Sequence, residues 1–225
     1  GIPIDPVTRV EAIDRLHQYL HGDEQHHVMT PNNEMLVAAQ RNPMFRRVLQ
    51  STSLNIPDST GLLFGARWTK QHLPERVTGV DTVVALCQQL DESVPVFFLG
   101  AAEGIAELAA ESLVGQCDSG AVGQRLTVAG CYAGSPADEE APEIIDRINQ
   151  SGAKLLLVAY GPPKQDLWIA QHLSKMPTIR VAMGVGGTFD FLAGKIQRAP
   201  VWMQRCGLEW LWRLIQQPSR WRRIL

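Results

Sequence analysis

Apolar positions along this chain change their period twice. Near the start, Ile13, Leu16 and Leu20 recur at helical spacing behind a Thr8-x-x-Glu11 pair, whose side chains can reciprocally satisfy the backbone N–H groups of a first turn. The spacing predicts a capped helix with one apolar stripe. A second helical region opens at about Asn33 and is interrupted near Pro43, and Val80, Val83, Val84, Cys87 and Leu90 restore the helical period after it. From residue 94 short continuous apolar runs take over: "VPVFFLG" (94–100), "RLTVAGCYAG" (125–134), "KLLLVAYG" (154–161) and "TIRVAMGVGG" (178–187). Helical stretches separate them, at about Gly104 to Val114, in "PADEEAPEIIDRINQ" (136–150) and from about Pro163 to Met176. A last helix, from near Trp202, is amphipathic. At about 100° per residue, Trp202, Arg205, Glu209, Arg213 and Gln216 fall within roughly 80° of arc, while Leu208, Leu211, Leu214 and Ile215 lie mostly elsewhere.

Apolar runs alternating with helices predict an α/β fold, a Rossmann-like, doubly wound, mostly parallel sheet buried on both faces. The expected division is a core over residues 1–194 and a basic, Trp-rich helical appendage over residues 195–225. In such sheets ligands bind beyond the carboxyl ends of the strands, where loops and helix N-termini present backbone N–H groups to anions. Three strand ends, "FLGAAEG", "AYGPPKQ" and "GVGGTFD", carry glycines (Gly100, Gly161, Gly186, Gly187) that let a ligand approach the backbone. A nucleotide or sugar-phosphate site is the fair inference. None of the three is G-x-G-x-x-G or G-x-x-x-x-G-K-[ST], so neither a dehydrogenase fingerprint nor a P-loop is supported.

Composition narrows this little: 225 residues, 45% apolar and 20% charged, suit one folded domain with an appendage. Charge changes the picture more. From Lys195 to Leu225 seven basic residues face one acid, Glu209, giving +6 there and, against −2 for the whole chain, −8 elsewhere. A basic end carrying Trp202, Trp210, Trp212 and Trp221 suits an anionic surface or a phosphate-bearing ligand, although a solvated helix face accounts for the same charges. The four cysteines form no CxxC pair, which favours packing roles in a reducing compartment. No run approaches the ~18 to 20 apolar residues of a membrane span and no signal segment opens the chain, so a protein made in soluble form is expected.

The search for chemistry leaves few candidates. His26 and His27 lack metal-site spacing, no D-x-D appears, and no G-x-S-x-G marks a serine nucleophile. What remains is a set of polar residues in apolar or glycine-rich settings: Thr30 and Asn32 in "TPNNEM", Asp58 in "IPDSTG", Arg76 in "ERVTGVD", Gln165 in "GPPKQDLW" and Asp190 in "GGTFD". Asp58 is the only acid between Met35 and Pro74, a stretch that holds Arg41, Arg46, Arg47, Arg67 and Lys70. Structural roles compete with chemical ones: Thr30 and Asn32 as helix caps, Asp58 as the holder of a turn, Gln165 as a first-turn residue.

The blocks "TPNNEML", "PDSTG", "RVTGVD", "FFLG", "YGPPKQDLWI", "GVGGTFDFLAGKIQRAP" and "GLEWLWRLIQQPSRWRR" stand in one order along the chain. In that order they resemble the WecG/TagA/CpsF family of bacterial glycosyltransferases, glycosyltransferase family 26. The likeness covers nearly the whole sequence. The resemblance implies inverting transfer of an N-acetylmannosamine-type sugar from a UDP-sugar to undecaprenyl-diphosphate-linked N-acetylglucosamine, at the cytoplasmic membrane face, with no metal and no other cofactor. It implies Asp58 as general base with Thr30 and Asn32 beside it, Arg76 and Gln165 as further pocket residues, and Asp190 as a nucleoside contact. Arg205, Arg213, Arg220 and Arg223 resemble arginines of an appendage that folds over the site and meets the diphosphate. Where many members read P-D-G, this chain has Ser59 after Asp58, and a different turn is expected there. The sequence opens at the family's G-x-P-I-D block and stops soon after the arginine cluster, so a further N-terminal strand and the tip of the appendage are expected beyond its ends.

Such chemistry needs one base and one charge stabiliser: the acceptor hydroxyl loses its proton as it attacks the anomeric carbon, and UDP leaves with the negative charge. Arginine forks can hold phosphate oxygens where other enzymes use a metal. The apolar side of the last helix can pack on the core, on another subunit of a homo-oligomer or against lipid, and its tryptophans suit a peripheral membrane contact. Two other readings stand beside this one: the same fold with UDP-glucose or a UDP-N-acetylmannosaminuronic acid as donor, and a non-catalytic nucleotide- or polyanion-binding module. No basic stripe outside the tail supports a nucleic-acid partner.

Overall fold

The computed structural model describes residues 1–118 and 125–216. Among them the chain order is α1 (Arg9–His21), β1 (His26–Met29), α2 (Asn33–Arg41), α3 (Pro43–Ser51), β2 (Leu54–Asn55), α4 (Thr60–Trp68), α5 (Gly79–Cys87), β3 (Val96–Gly100), α6 (Ile105–Asp118) and β4 (Val128–Tyr132). It continues through α7 (Ala141–Ser151), β5 (Leu155–Ala159), α8 (Lys164–His172), a 3₁₀ turn at Leu173–Lys175, β6 (Val181–Gly184), α9 (Thr188–Leu192), α10 (Val201–Arg205) and α11 (Glu209–Gln216). The six strands form one sheet in the order β2-β1-β6-β5-β3-β4, and every neighbouring pair is parallel. The expected α/β, doubly wound sheet is therefore present.

Strand residues alternate between two buried layers because successive side chains point to opposite faces. Leu155, Leu157, Phe98 and Val181 join the helices α1, α5, α6 and α9 on one side. Leu156, Val158, Leu99 and Ala182 meet α7 and α8 on the other, where Ile144, Ile148, Trp168 and Ile169 are buried. Each fully buried Leu, Ile or Phe contributes about 1.5–3 kcal/mol, so these two layers carry most of the stabilisation. A smaller cluster of Met29, Met35, Phe45 and Leu49 seats α2 and α3 beside α8.

Local signals act as expected in several places. Thr8 and Glu11 form the reciprocal capping box of α1. Asn42 ends α2 and caps α3, where Pro43 occupies the first turn, so the interruption read near Pro43 is a change of helix. Two sequence expectations are corrected. The stretch around Asp58, to which the spacing assigns no element, holds a strand before the acid and a helix after it, β2 and α4. The single helix expected from Trp202 is two helices, because Gly207 adopts φ 72° and a side chain there would come within 2.7 Å of Thr60 Oγ1.

β3 runs to β4 on one side and β5 runs to β6 on the other, so the chain diverges between these adjacent strands. At their carboxyl ends that divergence leaves the crevice in which α/β sheets bind ligands.

Candidate active site at the carboxyl edge of the sheet

Two groups of side chains gather along this edge. The first lies beyond β1 and β2. Thr30 follows β1 and is buried, and Asp58 follows β2, its backbone N–H donating to the Pro31 carbonyl at 3.0 Å. The start of α5 is brought between them: Asp58 Oδ2 accepts from the Gly79 N–H at 3.3 Å, and a Cβ on Gly79 would meet Thr30 Oγ1 at 3.4 Å and Asp58 Oδ2 at 3.6 Å. Backbone N–H, hydroxyl and carboxylate thus converge at the start of α5.

Arg76 stands next to this group and is shared. Its Nη2 is 3.7 Å from Asp58 Oδ1 and 2.6 Å from Glu209 Oε2. Glu209, buried at the start of α11, also lies 3.5 Å from Arg198, which pairs in turn with Asp81 on α5. Burial opposes ionisation of Asp81, but hydrogen bonds from Arg198 and Thr78 and the charge of Arg198 outweigh it and hold the carboxyl below its ordinary range. The result is a chain of alternating charges, Asp58, Arg76, Glu209, Arg198 and Asp81, that ties the C-terminal helices to the site. The Gly207 turn seated on Thr60 adds a second tie.

Ser59 leads from Asp58 directly into α4. Its Oγ accepts from the Leu62 N–H at 3.2 Å, capping α4, and donates to Asn33 Oδ1 at 2.9 Å. Asn32 caps α2, accepting from the Met35 N–H at 3.0 Å, so the structural role weighed for it is the one its Oδ1 performs.

The second group lies beyond β5 and β6. The Gln165 side chain is buried in the first turn of α8, and its Oε1 accepts from the backbone N–H groups of Gly161 and Gly186 at 3.0 Å each. One amide therefore fixes two glycine loops at a common height. Gly161 and Gly186 have positive φ, as does Gly100 at the end of β3, where a side chain would press on the Ala159 backbone at 3.0 Å. Gly187 leads into α9, and Asp190 lies half-buried within it, its carbonyl accepting from Lys195 and Ile196. Beneath Gln165, Asp166 is fully buried with both carboxylate oxygens unpartnered and His27 Nε2 at 3.9 Å. Burial pushes this carboxyl up, more strongly than the neighbouring His27 lowers it.

At about 4.8 Å per strand, the edge from Asp58 at β2 to Gly100 at β3 spans roughly 20 Å, room for an extended ligand. A separate cavity of about 410 Å³ opens between α8 and the segment after β4, lined by Ser135, Ala137, Lys164, Trp168 and Gln171 among others, and touches no member of the Asp58 group. Of the arginines singled out in sequence, Arg205 ends α10 and Arg213 lies on α11, while Arg220 and Arg223 fall outside the described residues. Glu209, Arg198 and Asp81 were missed as site residues. The available signal was Glu209 itself, the only acid among seven basic residues.

Among the described residues no three His, Cys, Asp or Glu side chains cluster closely enough to hold a metal ion, and no helix is long and apolar enough to cross a membrane.

Residues 1–225 match the sequence model described as Glycosyl transferase WecG/TagA/CpsF family. The chain belongs to this family. It is therefore a glycosyltransferase, which decides against the reading of a non-catalytic polyanion-binding module. Two relatives carry the name N-acetylglucosaminyldiphosphoundecaprenol N-acetyl-beta-D-mannosaminyltransferase. The one from Bacillus spizizenii (strain ATCC 23059 / NRRL B-14472 / W23) is 31% identical over 92% of this chain and 77% of its own length. The other, from Bacillus subtilis (strain 168), is 29% identical over 88% of this chain and 74% of its own length. In this WecG/TagA/CpsF glycosyltransferase, the quoted sequence blocks from Thr30 to Asp190 map onto the strand ends and helix starts that form the edge just described.

Proposed function

We propose that the protein transfers an N-acetylmannosamine-type sugar from a UDP-sugar to undecaprenyl-diphosphate-linked N-acetylglucosamine, with inversion and without a divalent metal. The donor sugar and acceptor are those in the names of its relatives. The step would serve assembly of a cell-surface polysaccharide or a teichoic-acid-type polymer, at the cytoplasmic face of the membrane.

The observation that carries the site assignment is the convergence of Asp58, Thr30 and the Gly79 N–H within one small space at the sheet edge. Asp58 takes the proton of the acceptor hydroxyl, whose oxygen attacks the anomeric carbon from the face opposite the leaving group. The bond from that carbon to the phosphate oxygen breaks and UDP departs with the electron pair. Thr30 and Arg76 orient the reacting groups, and a second carboxylate nucleophile is not required. The Gly100, Gly161, Gly186 and Gly187 loops, held in part by Gln165, receive the nucleotide, with Asp190 towards the nucleoside. Arg205, Arg213, Arg220 and Arg223 neutralise the leaving diphosphate, a task for which planar guanidinium forks are suited.

Asp58→Asn keeps the shape of the site and removes the base, so turnover should fall at least ~10²-fold while UDP affinity stays close to that of the parent. Near-normal turnover in that variant would remove Asp58 from the role. UDP release should also continue in EDTA, and a strict need for added magnesium would overturn the arginine proposal. The screen should include UDP-glucose and a UDP-N-acetylmannosaminuronic acid beside UDP-N-acetylmannosamine, since a preference for either would reassign the donor.

A further inference from the structure

The helix that leaves the Asp58 loop exposes a face that the site does not use. At its start, Ser59 donates to Asn33 and a side chain on Gly61 would overlap the Asn33 amide, so α4 and α2 begin in contact. Each of the two helices carries an exposed stripe. On α4, Phe64 and Trp68 stand one turn apart and are 69% and 89% exposed. On α2, Val37, 48% exposed, and Arg41, also exposed, lie one and two turns beyond Asn33. Arg67 and Lys70, both exposed, flank the aromatic pair. From the start of α2 to the end of α4 the acids are Glu34, in the first turn of α2 on the stripe of Arg41, and Asp58, so α4 and the residues just after it carry Arg67 and Lys70 with no carboxylate of their own.

We propose that this face lies against an anionic phospholipid bilayer, with Phe64 and Trp68 at headgroup depth and Arg41, Arg67 and Lys70 towards the lipid phosphates. The chemistry of the face selects this occupant: large aromatics flanked by basic residues match an interface that is apolar beneath and negative at its surface. A second copy of the chain is disfavoured, because a two-fold contact would set like cations against each other. The inference rests on the reading that the acceptor is lipid-linked. It also places Asp58, two residues before α4, beside the phosphate layer from which a diphosphate-linked sugar would project.

The test is co-sedimentation of the full chain with phosphatidylglycerol or phosphatidylcholine vesicles at about 0.1 M salt. The parent should bind phosphatidylglycerol vesicles and prefer them over phosphatidylcholine. The double variant Phe64→Glu with Trp68→Glu should bind them at least ~10-fold more weakly, and Arg67→Glu with Lys70→Glu should do the same. Both variants should release UDP with a water-soluble short-chain acceptor within about twofold of the parent, since these exposed side chains are not among the residues assigned to the Asp58 and Gln165 groups. Unchanged vesicle binding by the aromatic double variant, or equal binding of the parent to both lipids, would overturn the proposal. So would a change in oligomeric mass of the variant with vesicle binding intact, which would mark the face as a contact between copies. A parent that binds through this face yet releases UDP from no UDP-sugar would sink the transfer reading and leave the membrane face standing.

Discussion

Removing the Glu209 carboxylate would leave Arg76 and Arg198 facing each other without the charge between them. Glu209→Ala is therefore expected to destabilise the protein by on the order of 2 kcal/mol, read as a lower urea midpoint, with partial exposure of the arginines moderating the loss. Asp166 makes the opposite expectation. Its carboxyl is raised above the ordinary 3.8, so its contribution to stability is complete below about pH 4 and is lost as pH climbs through the folded-state value. Asp166→Asn, uncharged throughout, should unfold at a higher urea concentration than the parent at pH 8 and close to it at pH 4. Part of the site was legible at this scale because polar residues in apolar settings are conspicuous: Thr30, Asp58, Arg76 and Gln165 all lie at the sheet edge. The isolation of Asp58 was a property of sequence distance alone, since it shares Arg76 with Glu209, which lies 133 residues beyond that arginine. No local pattern encodes such a pair.

At the scale of elements, strands β3, β4, β5 and β6 lay within the four apolar runs, and β3, β5 and β6 are buried throughout. β1 and β2 gave no such signal. One is four residues with two histidines and the other is two residues, too short for any period to show. The last helix failed for a different reason: amphipathic spacing continues across Gly207, but its left-handed backbone does not continue a helix. Gly207→Ala should cost about 1–3 kcal/mol locally, from backbone strain and the encounter with Thr60. Faster limited proteolysis within residues 195–216, with the melting temperature of the remainder little changed, is the expected readout.

For the molecule as a whole, Gln165 fixes two glycine loops through the protein's own hydrogen bonds, so the nucleotide site proposed there would be preformed. UDP at a hundredfold excess over its dissociation constant should then stabilise the fold by about 2.7 kcal/mol, raising the melting temperature by roughly 5–10 °C, while GDP at the same concentration should do much less. Gln165→Ala should shrink that shift. The order of the sheet has a consequence for synthesis on the ribosome. β6, the last strand among the described residues, sits in the middle, between β1 and β5. Until residue 184 has emerged, β1 with β2 and the β5-β3-β4 ribbon are two unjoined pieces, each presenting an unpaired edge to its surroundings. The nascent chain therefore depends on escaping wrong strand pairing for most of its translation, and a cut anywhere before β6 should yield aggregating fragments instead of a folded half.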